Sequence, residues 1–293
     1  MAKHKYTLFI FLSFIFSQAT FQALDAPQDI SSLSLSGGSG ALDSEQCSPN
    51  PSTIIKEVPL KGINSVYYPG NILFLNTFSN KTYRSGVLQL SASNLYFGRL
   101  MDQETQHEFH ANDFLFSITY KNVYKNKISY GTSFKYLYSD IASYSAHVLA
   151  SSAGLRAKLL SNKVGAGISL ENFGFVISDY TKSYDNILPT KVRLAGHFRL
   201  TYLPAFLFLD YLYPLQALNK QTIYGIKLKP NDRLIVMLSS SSNKNNLKVN
   251  SLYQDMIAGI AIGVRIVLEN QHISMSWKNL GPAGNGLGVG ITF

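Results

Sequence analysis

From residue 112 to its end the chain alternates apolar residues with small or polar ones, segment after segment, at a period of two. Phe114, Phe116, Ile118 and Tyr120 share one face against Leu115, Ser117, Thr119 and Lys121. Ile128, Tyr130, Thr132, Phe134, Tyr136 and Tyr138 alternate with Ser129, Gly131, Ser133, Lys135 and Leu137. Val192, Leu194, Phe198 and Leu200 oppose Lys191, Arg193, His197 and Arg199, and Ile260, Ile262, Val264 and Ile266 oppose Gly259, Ala261, Gly263 and Arg265. The last segment sets Leu287, Val289, Ile291 and Phe293 against Gly286, Gly288, Gly290 and Thr292. This is the spacing of strands, since a helix would repeat at about 3.6 residues.

Polar stretches at 121–127, 161–163, 178–189, 230–233, 239–246 and 279–285 separate the segments and read as turns. A strand that crosses a bilayer needs about 9–11 tilted residues, so the chain has room for about fourteen. The face opposite the apolar one is built of Gly, Ser, Ala, Lys and Arg. That suits the interior of a barrel better than the outside of an exported sandwich, which would be polar throughout.

The N-terminus supplies the route to a membrane. Lys3, His4 and Lys5 precede an apolar run from Tyr6 to Phe16, and Ser17-Gln18-Ala19 places small residues where a signal peptidase reads, with Ala23 and Ala26 as further cleavage points. The expected organisation is a signal peptide at 1–23, a luminal plug or lining at 24–60, and a barrel at 61–293. No later run suits a helical span: Pro204, Asp210 and Pro214 interrupt one candidate, and Gly259, Gly263 and Arg265 the other. Charged residues make up 15% of the chain against 18 Tyr and 18 Phe, a balance fit for a lipid-facing surface with aromatic girdles. The expected fold is therefore all-β: a transmembrane antiparallel β-barrel of about fourteen strands in a bacterial outer membrane.

The net charge of +9 points to outer-membrane lipid and lipopolysaccharide, or simply to solvated loops, and not to nucleic acid. A single cysteine, Cys47, excludes an intramolecular disulfide and reads as a small loop residue.

The chemistry of catalysis is hard to find. His107 and His110 are three apart in a polar, acidic stretch, without the spacing or third ligand that zinc requires. Gly284, Gly286, Gly288 and Gly290 recur every second residue, unlike a dinucleotide turn, and Gly37 to Gly40 lacks the Lys-Ser/Thr of a phosphate loop. His147, Asp179 and Ser183 could compose a nucleophilic site only by chance of folding, since no Gly-x-Ser-x-Gly frames them. The sequence assigns no catalytic, cofactor-binding or metal residue, no cofactor and no enzymatic activity.

The order Gly37-Gly38-Ser39-Gly40-Ala41-Leu42-Asp43, then Ser48-Pro49-Asn50-Pro51-Ser52, resembles the N-terminal signature of the PorV/PorQ family, with Ser52 where the family usually has Ala. Leu95-Tyr96-Phe97-Gly98, the acidic stretch 102–108 and Phe109 to Asp113 resemble its next motifs. So do Asn172-Phe173-Gly174, Leu188-Pro189 and the run Met256 to Gly263, the last looking most like the PorQ branch. The resemblance implies a barrel of the long-chain fatty-acid transporter (FadL-like) type. It further implies a part in type IX protein secretion or surface attachment, with other secretion or cell-surface proteins as partners. The alternative is a FadL-like transporter of hydrophobic small molecules, which predicts an apolar luminal pocket and a lateral opening near Pro204 or Pro214.

Overall fold

A computed structural model describes residues 21–293 except 28, 45, 56–59, 102–106, 126, 161–162, 182–185, 217–219, 250–251 and 270. The expected signal peptide thus falls almost wholly outside the described residues. Fourteen antiparallel strands, each paired to its neighbours in sequence, close into a barrel when β1 (Leu60–Tyr68) meets β14 (Asn285–Thr292). The seam is in register from Gly62 opposite Thr292 to Tyr67 opposite Leu287, and Lys61 and Phe293 exchange both backbone hydrogen bonds at 2.8 Å.

Between them run β2 (Ile72–Tyr83), β3 (Gly86–Met101), β4 (Glu108–Tyr124), β5 (Ile128–Ile141), β6 (Tyr144–Leu159) and β7 (Val164–Ser178). The second half holds β8 (Lys191–Arg199), β9 (Ala205–Pro214), β10 (Gln221–Asn231), β11 (Leu234–Ser241), β12 (Ala261–Val267) and β13 (His272–Asn279). Strand ends on the side of Phe293 form what we call the seam end; at the far end lie Tyr68, Met101, Ile141, Ser178, Pro214, Ser241 and Asn279, where their strands finish.

The alternation sorts as a membrane demands. Phe116, Ile118, Phe134, Leu155, Leu194 and Leu209 are exposed on the outside, whereas Ser117, Ser133, Arg156, Arg193 and Asp210 are buried inside. An apolar exterior on a barrel of this girth removes solvation cost in lipid and leaves polar groups to find partners in the lumen. Three turn assignments need correction, the first at Ser239 to Ser241, which close β11 and are buried. β4 runs on to Tyr124, so Lys121 is no loop residue: its Nζ points inward and donates to the carbonyl of Ile54. His110 likewise lies within β4, its ring against Tyr96, because the strand begins at Glu108 rather than after the acidic stretch.

The described residues of 21–55 run inside the barrel. A short helix, α1 (Ile30–Ser34), is capped by Asp29, whose Oδ1 accepts from Ser32 N at 2.6 Å. Ile30 and Leu33 are fully buried against the wall, where Gly288 and Gly290 leave the space they fill. The alternate glycines of β14 are thus the seat of α1. Further along, Gly167 admits the backbone of the segment: a Cβ there would sit 2.4 Å from the carbonyl oxygen of Gly40. Cys47 lies in an irregular stretch, as a loop residue would, but is buried in the lumen, and burial pushes its thiol up to about 12.

Since that carbonyl is backbone and cannot swing aside, Gly167→Val is expected to unseat residues 40–50 while the barrel still closes. Overpacking of this kind costs about 1–3 kcal/mol, enough to raise maleimide labelling of Cys47 about tenfold in a protein that keeps its heat-modifiable gel mobility. Labelling at the parent rate would show that the segment tolerates the side chain.

Candidate functional site

The inward side chains that hold the segment form one continuous polar seat. At its centre Arg193 on β8 is fully buried and binds Glu171 on β7 (Nε–Oε1 2.7 Å) and Asp210 on β9 (Nη1–Oδ2 2.8 Å). The same guanidinium donates to Gly37 O at 2.9 Å, and Asp210 accepts from Gly40 N at 2.8 Å. A buried charge pair is tolerable only when its remaining donors and acceptors are met, and here the luminal segment meets two of them. Seaming outward, His197 Nδ1 lies 2.8 Å from Ala41 O, and Ser239 Oγ donates to Ser34 O at 2.9 Å.

Asp43 anchors the segment toward the seam end. Burial works against its ionisation, but the hydrogen bond and charge of Arg156 and the charge of Lys158 hold it well below the usual carboxylate range. Asp29 is the opposite case. Burial pushes its carboxyl up to about 6, against hydrogen bonds from Ser32 and the charge of Arg265, and its Oδ2 has no hydrogen-bond partner.

Asn172 ties the other end of the segment to the wall. It interrupts β7 with a positive φ of 56°, at a bulge where the β6–β7 register shifts between Ser151 and Ala153. The bulge re-aims its side chain into the lumen. There Nδ2 donates to Asp25 Oδ1 (2.8 Å) and Leu24 O (3.2 Å), while Oδ1 accepts from Lys135 Nζ (2.7 Å). Asp25 also pairs with Lys191 at 2.7 Å.

Two chambers meet at this point. Toward the far end an antechamber of about 530 Å³ is lined largely by Tyr68, Ile72, Leu95, Phe97, Leu280 and Ala283. Beyond lies an inner cavity of about 250 Å³ with polar walls, among them Lys135, Glu171, Asn172, Lys191, Arg193 and Lys278. Asp25, Ala26 and Pro27 line both. They are the partition.

Several residues weighed in the sequence take other positions. His147 on β6 faces Ser178, yet its ring bonds to Tyr136 Oη at 2.7 Å, and Asp179 binds Tyr180 and Asn186; Ser183 lies outside the described residues. Among the described residues no three His, Cys, Asp or Glu gather as a metal site would require. Pro204 precedes β9 and Pro214 closes it, so neither kinks a strand in mid-membrane to open the wall. The sequence placed Arg193 and His197 on the inner face but gave no sign of Asp25, Glu171 or Asn172 as their neighbours. The break of alternation at Glu171-Asn172-Phe173 was the available signal.

No protein-family profile matches the sequence, and no curated protein is recognisably similar to it. Among solved structures the fold is similar to the Pseudomonas putida toluene transporter TodX, at 10% identity and a TM-score of 0.61, over 90% of this chain and 96% of that one. It is similar also to the monoaromatic hydrocarbon channel CymD, at 9% identity and a TM-score of 0.58, over 91% and 95% of the two chains. The fold is that of a bacterial outer-membrane β-barrel; membership of the PorV/PorQ family finds no support in these likenesses.

The opposite behaviour of the two luminal carboxylates sets a pH dependence. The seated form holds a proton on Asp29 up to about pH 6, where the freed segment has lost it near 3.8, so the seat weakens as pH rises through about 4 to 6. That difference is worth about 3 kcal/mol. Asp29→Asn keeps the cap and removes the penalty. Pyridyl-disulfide labelling of Cys47, normalised to free cysteine, is expected to match in parent and variant at pH 4 and to be at least about tenfold slower in the variant at pH 7. Equal rates at pH 7 would mean that the carboxyl does not weaken the seat.

Proposed function

We propose that this barrel is a non-enzymatic outer-membrane channel for hydrophobic small molecules, gated by its luminal segment at Asp25–Pro27. The observation that carries the reading is the pair of neighbouring chambers, one apolar and one polar, that share Asp25, Ala26 and Pro27 as wall. An apolar antechamber gives a hydrophobic solute a reason to leave water. The polar cavity beyond does not retain it, and conduction needs just this sequence of entry and release. Within the partition Asp25 is held by polar contacts to Asn172 and Lys191, which water can replace when the segment moves, while Ala26 packs on the apolar cluster that holds Phe21, Ala23 and Leu24. Likeness of fold to hydrocarbon channels supports the same reading.

A type IX secretion role, implied by the PorV/PorQ resemblance, would instead be exercised by the far-end loops on protein partners and would leave the partition without a task. The two readings separate in one experiment. Asp25→Ala combined with Asn172→Ala removes the charge-assisted bonds that hold the partition, and is expected to raise toluene-type solute flux into proteoliposomes at least about tenfold over the parent, with sucrose flux little changed. Flux unchanged in the variant, with stoichiometric cell-surface proteins co-purifying with the parent, would replace the channel by the secretion role.

A further inference from the structure

The two ends of the barrel carry charge differently. At the seam end Lys81, Arg84, Lys125, Lys127, Lys163 and Arg199 are all exposed. Among the described residues the only carboxylate side chains at that end are Asp232, which pairs with Lys229, Glu269, and Asp43 inside the lumen. The far end instead mixes Asp140, Asp179 and Asp255 with Lys220, Lys244 and Lys248. A one-sided rim of cations, set where the strands leave the hydrocarbon, carries a field that the apolar belt does not screen.

Within that rim one place has shape as well as charge. The connection from β8 to β9 folds back on itself, with Leu200 N donating to Ala205 O and Ala205 N to Leu203 O, and it is fixed to neighbouring strands by Arg199 N to Lys163 O (2.7 Å) and Lys229 N to Pro204 O (2.7 Å). The fold leaves a pocket of about 370 Å³ bounded by Lys163, Arg199 and residues 200–204. Neither Lys163 nor Arg199 has a carboxylate within ion-pair distance among the described residues. Beside them Tyr202 is 98% exposed and Leu203 57%, with Leu160 of the adjacent turn at 73%. Two cations without a carboxylate partner, Arg199 with one face over the Phe206 ring at 5.9 Å, stand beside a large aromatic and two leucines that are exposed at the edge of a lipid-facing surface. Together they make an amphipathic corner. In water it would be an unexplained cost; at a bilayer interface its apolar part meets acyl chain and its charged part meets phosphate.

We infer that the Lys163–Arg199 pocket binds the phosphate headgroup of an anionic phospholipid in the leaflet at the seam end, with Tyr202 and Leu203 against its glycerol and first methylenes. Arg199 is the specific contact, since its planar donors match two phosphate oxygens, and Lys163 adds point charge. The remaining rim cations raise the local concentration of anionic lipid without choosing among its headgroups. This site stands apart from the lumen and does not depend on what the channel carries.

The test uses the full barrel in vesicles. Trp277, the single tryptophan, is replaced by Trp277→Phe, and Tyr202→Trp places an indole at the pocket. Brominated phosphatidylglycerol diluted in phosphatidylcholine is expected to quench that indole as though enriched roughly tenfold over brominated phosphatidylcholine at the same fraction. Adding Lys163→Gln and Arg199→Gln is expected to reduce the enrichment to near parity, while Lys244→Gln with Lys248→Gln at the far end leaves it intact. Heat-modifiable mobility confirms that each variant has closed. Equal quenching by the two lipids, or enrichment that survives loss of both cations, overturns the site. Loss of enrichment in the far-end variant would reduce it to general attraction. Relief of quenching by millimolar inorganic phosphate would assign the pocket to free phosphate instead of lipid.

Discussion

Because hydrocarbon offers no partner for backbone N–H and C=O groups, an open strand edge in the bilayer would cost several kcal/mol for each group left unpaired. The register of β1 on β14 removes that edge, and much of the sequence can be read as its consequence. Closure fixes which side chains point inward. It then turns every inward polar residue into a group that must be satisfied within a narrow lumen. The small residues of β14, the serines of β4, β5 and β11, and the charged triad on β7, β8 and β9 all answer to that geometry.

A lumen of this kind is too wide for wall side chains to fill and too polar to collapse. The segment from Phe21 to Ile55 supplies the missing volume and, more to the point, the missing hydrogen-bond partners. Arg193 illustrates the logic. Its two carboxylates neutralise it, yet one of its donors reaches Gly37 O and one acceptor of Asp210 takes Gly40 N. Remove the segment and water must take both places, which it can do at little net cost. The far-end contacts differ, for Phe21, Ala23 and Leu24 pack with Val66, Phe74, Leu95 and Val148 in an apolar cluster. The segment is therefore fastened by apolar burial at several points, with Ile30 and Leu33 against β14 and Leu35 and Leu42 against Phe208 and Ile223, and by exchangeable polar contacts between them.

What the sequence discloses and what it withholds follow the same division. Period two is a local property, so the strands from Phe114 onward, the inward set of Ser, Gly, Lys and Arg, and the need to close were all legible. Ends were less so. Lys121 looked like the start of a polar turn because it is followed by Asn122 and Lys125, and only the third dimension shows that it reaches Ile54. The chambers were out of reach for a stronger reason. Asp25, Lys135, Asn172 and Lys191 are brought together by strand register and by the path of a segment with no periodicity of its own, and neither is encoded in any short window. Asn172 came nearest to being readable, because it breaks the alternation of β7, yet a break in pattern marks a bulge without saying what the bulge aims at.

The strands also differ in length, and the difference divides the wall into two halves. β3 to β7 run 14 to 17 residues, whereas β8 to β14 run 7 to 11. About 9–11 residues suffice to cross the bilayer, so one half of the wall stands well beyond the hydrocarbon at the far end. Pairing of β7 with β8 stops at Glu171 opposite Lys191, level with the partition, and β7 continues past it. The apolar residues Leu95, Leu115, Leu137 and Val148 are carried on this taller half, with Phe74 on the neighbouring β2. In the proposed channel, a solute from the far side would meet the largely apolar antechamber before the polar cavity beyond Asp25–Pro27. The mouth and the partition of that channel are thus built by different strands and are open to separate change.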